Sequence, residues 1–245
     1  MTVTVAQATR SNLNEILRWL KQEDEETGEG FWCNRTVVES CHRDGELLVL
    51  REDGEAVAFL AGRVWVPDIL EVRPDRRGRG HGRLLAEHVV AEASRIGDCL
   101  LRIECQPASS IPFWERMGFR LYRDDEEARI LGGHAYRVLG RTHARPEGPA
   151  VAVEVELYPE ARSWNPAVRP LLSRRLEAAR REDGRLQLPE RVVLFSPDVP
   201  RPPESFVRIA IDGQDVFLDK AKRDEAKAVG VERDPGGTYY VDALR

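Results

Sequence analysis

The chain has 245 residues, 42% of them hydrophobic, and carries 37 Lys+Arg against 42 Asp+Glu for a net charge of -5. That apolar content suffices for one large core or two modest ones. No run approaches about eighteen consecutive apolar residues and the N-terminus has neither a basic start nor a long apolar stretch, which argues against a membrane span or signal peptide and makes the cytoplasm the expected location.

Taken in chain order, strand patterns are expected at residues 3–9, 46–53, 56–66, 68–73, 99–105, 119–123 and 129–139, where β-branched or alternating apolar residues gather. Helices fit between them. Residues 12–26 put Leu13, Ile16, Leu17 and Leu20 on one face, and residues 36–45 form a shorter second helix. Residues 82–97 repeat Leu85, Val89 and Ile96 at helical intervals before Gly97. Residues 109–118 begin with Ser109 and Ser110 and an early Pro112, and end at Gly118. The expected order is β-α-α-β-β-β-α-β-α-β-β.

Residues 141–150, polar apart from their alanines and containing Pro146, Gly148 and Pro149, read as a linker between domains at 1–140 and 151–245. In the second unit, residues 150–158 read as a strand and 170–182 as a helix. A strand at 191–195 and a proline-rich loop at 197–204 follow. Then come a hairpin about Asp212-Gly213, a helix ending at Gly230 and a last strand at 238–244.

Four scattered cysteines, Cys33, Cys41, Cys99 and Cys105, form no CxxC pair and the histidines no HxxxH spacing, so neither a disulfide nor a metal site is expected.

Charge is unevenly placed. Residues 1–140 hold 19 Lys+Arg against 24 Asp+Glu, yet Val72–Arg83 contains Arg73, Arg76, Arg77, Arg79 and Arg83 against Asp75 alone. Three glycines, Gly78, Gly80 and Gly82, share this strand-to-helix corner. Backbone N–H groups at a helix N-terminus hold phosphate, and glycines let the backbone approach it. A GxGxxG fingerprint would need glycine where Arg83 stands, and the P-loop pattern is absent.

Arg77 to Gly82, "RGRGHG", fits the R/Q-x-x-G-x-G/A motif, and "FWERMGF" at 113–119 resembles "FYxxxGF"; together they resemble the GCN5-related N-acetyltransferases (GNAT) over about residues 1–140. The resemblance implies an α/β fold, a mixed central sheet flanked by helices, for this part, and the pattern of residues 151–245 adds a second, smaller α+β domain. It also implies acetyl-CoA as cosubstrate. The coenzyme-binding residues carried over are Leu70, Val72, Arg77, Gly78, Arg79, Gly80, His81, Gly82 and Trp114, with the Arg77–Gly82 backbone on the diphosphate and Val72 on the pantetheine arm.

Transfer to an amine needs a group that takes its proton, because an alkyl ammonium of pKa about 10.4 is almost wholly charged at pH 7. Asp68 and Glu71 on the central strand and Glu104 on the next are the candidates. Strand alternation puts Asp68 on the face of Leu70 and Val72, and so favours it; the alternatives are a turn role for Asp68 and pairing of Glu71 and Glu104 with Arg73 and Arg102.

The chain departs from the family at two positions. Trp114 stands where the family has its tyrosine acid, and an indole N–H is no proton source near neutrality; Pro107 replaces a frequent asparagine. Ser109 and Ser110 are substitutes or simple helix caps. The acids of residues 23–26, close to Phe31 and Trp32, suit a cationic amine.

Three readings follow: an N-acetyltransferase acting on a primary amine, a non-catalytic acyl-CoA-binding or regulatory protein with a degenerate site, and a nucleic-acid-binding protein using the arginine corner. Acidity argues against nucleic acid as partner, and the alternatives for the C-terminal region are covering the acceptor site, a homodimer contact or binding a protein partner.

Overall fold

The computed structural model describes residues 2–64, 66–122, 133–144, 147–163, 165–198 and 206–245. Parts of the strand expected at 129–139, of the linker and of the proline-rich loop lie outside these residues. Two compact units are present: residues 1–96 with 101–137, and residues 97–100 with 138–245.

The first unit opens with β1 (Val3–Gln7) and α1 (Arg10–Thr27). Thr9 starts α1 through a capping box with Asn12, which satisfies two backbone donors reciprocally. Then follow α2 (Arg35–Asp44), β2 (Leu47–Glu52), β3 (Glu55–Arg63) and β4 (Val66–Val72). These four strands form one antiparallel sheet in the order β1-β2-β3-β4. Next come α3 (His81–Ile96), β5 (Leu100–Cys105), α4 (Ile111–Arg116), β6 (Arg120–Leu121) and β7 (Gly133–Val138). The last three strands make a second sheet, ordered β5-β7-β6.

Residues 56–62 of β3 are all buried because both faces of its sheet are covered. On one face Leu13, Ile16, Leu20 and Val38 of the first two helices pack with Val49, Phe59 and Ile69. On the other, Leu85 and Val89 of α3 pack with Leu50, Ala58 and Leu60. The element order expected for this unit is the order observed.

The second unit contains β8 (Ala150–Tyr158), β9 (Leu172–Arg180), β10 (Leu186–Val193), β11 (Phe206–Ile211), β12 (Gln214–Lys220), α5 (Asp224–Val229), β13 (Val231–Arg233) and β14 (Tyr239–Leu244). Its sheet runs β12-β11-β8-β9-β10-β14-β13. The helix expected at 170–182 is corrected to strand β9, registered from Ala150↔Ala179 to Leu157↔Leu172. Leucine, arginine and alanine favour a helix locally, but Leu172, Leu176 and Ala178 share one strand face and join the apolar core, so pairing overrides propensity. Residues 141–144, within the expected linker, are bound along β10: Thr142 bridges Glu190, and His143 N–H donates to Pro189 O at 2.8 Å.

Candidate active site

Strand β4 is the edge of its sheet and, among the described residues, pairs with β3 alone. An edge presents backbone donors and acceptors instead of a side-chain face. A cleft of about 1090 Å³ in the first unit runs past this edge. Leu70, Glu71 and Val72 line it consecutively, with the corner residues Arg76, Arg77, Gly78, Gly80, His81, Gly82 and Arg83. Gln106, Pro107, Ser109, Ser110, Phe113 and Arg116 supply more of the wall, and Glu23 and residues 29–31, 33 and 34 the remainder.

At the corner, Gly78 and Gly80 have φ of +75° and +87°, and a Cβ at either would meet nothing within 4 Å. That is open space beside a sixteen-residue helix whose first N–H groups lack intrahelical partners. A diphosphate fits such a cradle.

The arginines of the corner are mostly answered within the chain. Arg73 pairs with Asp75 and Glu55, Arg76 with the buried Glu52, and Arg83 with Glu87. Arg77 turns toward the strand edge. Its Nη2 donates to Glu23 Oε1 at 2.6 Å and Glu71 Oε1 at 3.0 Å, and its Nε to Val72 O at 3.0 Å. The Val72 N–H donates to Glu71 Oε1 at 2.8 Å.

Glu71 is mostly buried, its side chain 13% exposed. Burial pushes its carboxyl above the ordinary range, opposed by the Val72 N–H and by Arg77. It is thus a carboxylate whose proton affinity is raised, standing at the strand edge.

The cleft brings together Leu70, Glu71, Val72, Arg77, Gly78, Gly80, His81 and Gly82 from the expected site. Asp68, Glu104, Arg79 and Trp114 are not among its lining residues. Asp68 stands by Gly62, in the field of Glu46 and Arg63. Glu104 is exposed on β5, and Arg79 is exposed at the corner. The Trp114 ring packs edge-on against Phe113 and Phe119, with centroids 5.0 and 5.1 Å away. Ser110 makes no capping hydrogen bond, and its buried Oγ has no partner.

From the sequence, Glu23 is one acid of the run 23–26 and Phe113 one residue of the 113–119 motif, neither given an individual role. Glu23, only 5% exposed, follows Ile16 and Leu20 on the buried stripe of α1, so a carboxylate at an apolar position was the available signal. Phe113 lines the cleft beside Gly82.

Residues 12–119 match the model of the acetyltransferase (GNAT) family. This part of the chain is a GNAT domain. No curated protein sequence matches the chain. Among solved structures, N-acetylglutamate synthase from Neisseria gonorrhoeae, complexed with coenzyme A and N-acetyl-glutamate, is 19% identical with a TM-score of 0.44. The match covers 58% of this chain and 36% of that one, so the chain spans about a third of that protein. Ard1 from Thermoplasma volcanium is 15% identical, covering 57% of this chain and 99% of that one, with a TM-score of 0.45. The PaiA N-acetyltransferase from Thermoplasma acidophilum, in complex with coenzyme A, is 11% identical over 57% and 100%, with a TM-score of 0.41.

Among the described residues of the GNAT domain and the second unit, no helix is long and apolar enough to cross a membrane. No group of three or more His, Cys, Asp or Glu among them is placed to hold a metal ion.

Proposed function

We propose that the GNAT domain transfers an acetyl group from acetyl-CoA to a primary amine by direct attack. The observation that carries this reading is one continuous cleft joining the open glycine corner, the free edge of β4 and the buried Glu71. The backbone of Arg77–Gly82 and the start of α3 hold the diphosphate. The edge of β4 receives the pantetheine amides, for which the Glu71 and Arg77 side chains give up the N–H and C=O of Val72.

Glu71 takes the proton that leaves the amine nitrogen as its C–N bond forms and the C–S bond of the thioester breaks. The departing thiolate, from a thiol of pKa about 8.5, needs no strong acid. The unpartnered Ser110 hydroxyl donates a hydrogen bond to it. Asp68 and Glu104, outside the cleft lining, have no part in this scheme, and Trp114 serves as packing.

The test is calorimetric binding of acetyl-CoA to the native chain and to Gly80→Asp, which puts bulk and negative charge into the open cradle. Binding by the native chain alone, with both chains folded by circular dichroism, is the expected result. No binding by the native chain overturns the reading. Binding without thiol release for any amine would favour a non-catalytic acyl-CoA-binding role, which the packing of Trp114 away from the cleft also suits.

A further inference from the structure

The part of the cleft wall supplied by α1 and the segment after it contains Glu23, Glu29, Gly30, Phe31, Cys33 and Asn34. One guanidinium nitrogen, Nη2 of Arg77, lies within hydrogen-bond distance of both Glu23 and Glu71. The two carboxylates are therefore already arranged around a cationic nitrogen. A single guanidinium between two carboxylates leaves one negative charge over, before Glu29 is considered.

Glu23 also keeps an oxygen in reserve. Its side chain is 5% exposed, and Oε2 is buried without a hydrogen-bond partner. This oxygen lies against Gly30, where an added Cβ would come within 2.9 Å of it. A buried carboxylate oxygen with no donor is costly, and a cationic N–H group is the partner that relieves it best. Phe31, partly buried beside it in the lining, offers an apolar surface to a short alkyl chain.

Building on the acetyltransferase reading above, we propose that the acceptor is a small diamine, and that Glu23 receives the positive charge of the amine that does not react. Glu71 serves the nitrogen that attacks, and Glu29 adds to the field that draws the dication in. An acceptor bearing a carboxylate would meet this wall with the wrong sign.

The experiment titrates three probes of equal chain length, 1,4-diaminobutane, butylamine and 4-aminobutanoate, into the protein with and without saturating coenzyme A. The diamine is expected to bind about tenfold or more tighter than butylamine, and the aminobutanoate most weakly. Glu23→Gln, and Gly30→Ala with its charge intact, should each remove most of the diamine's advantage while leaving butylamine within about twofold. Glu25→Gln, the same charge change on the exposed surface of α1, should alter neither.

Butylamine binding as tightly as the diamine, no amine binding at all, or Glu23→Gln weakening both alike, overturns the proposal. Should Glu23→Gln fail to fold, the native ranking and Gly30→Ala decide. Failure of coenzyme A to bind the native chain would sink the acetyltransferase reading, and the ranking on the free protein would still decide the cation site.

Discussion

Arg77 Nη2 stands 2.6 Å from Glu23 Oε1, joining the glycine corner to a carboxylate 54 residues earlier in the chain. Arg77 is about half exposed whereas Glu23 is buried, so the pair is asymmetric: losing the arginine strands a buried charge. Arg77→Ala should lower stability by about 1–3 kcal/mol, discounted from a fully buried pair because of solvent at the arginine. Adding Glu23→Gln to Arg77→Ala should recover much of that loss. Urea unfolding of the four chains in a double-mutant cycle reads the coupling, and strict additivity would contradict the interaction.

Ser110, just before α4, and Trp114, within it, are four positions apart and face different surroundings. Ser110→Ala should reduce turnover about tenfold with little change in stability, because it removes a hydroxyl from the cleft and no cap. Trp114→Phe should leave turnover within about twofold and cost about 1–2 kcal/mol, since its ring packs with Phe113 and Phe119. Steady-state thiol release beside thermal unfolding separates the two. A large activity loss in Trp114→Phe with an intact fold would return the indole to the reaction.

Asp98 in the second unit is 1% exposed, accepts the Gly236 N–H at 3.2 Å and leaves Oδ2 without a partner. Burial, and then the charge of Asp234, push its carboxyl up to about 6. A carboxyl raised in the folded state favours folding most below its unfolded pKa of 3.8, and that contribution is lost as pH rises through about 6. Asp98→Asn keeps an acceptor for Gly236 and removes the like charge. The variant should gain about 1–2 kcal/mol over the native chain above pH 6 and nothing near pH 4. Thermal unfolding between those limits checks it; a parallel pair of curves would refute it.

How much of this the sequence revealed depended on whether the signal was local. The corner could be recognised because Arg77 to Gly82 are contiguous, and α1 because its apolar stripe obeys a near-neighbour rule. The preference for Asp68 came from assigning side chains to the two faces of β4. Alternation does not select the lining residues here, because the cleft runs along the strand's edge, where Leu70, Glu71 and Val72 are presented together. Glu23 was hidden among neighbouring acids, three of which the same helix turns toward solvent or partly so. Strand β9 is made by partners at Ala150–Leu157, information that no window around Leu176 contains.

The allocation of Gly97–Leu100 to the second unit bears on how the protein emerges from the ribosome. Cys99 directs both its N–H and its thiol to Asp234, 135 residues later, and the Gly97 carbonyl waits for Arg191, 94 residues later. These groups are synthesised early and go without their final partners until Arg191 and Asp234 have been translated. A nascent chain stalled after residue 140 would therefore hold an unfinished seam between α3 and β5, and a gene shortened there would encode that unfinished state permanently.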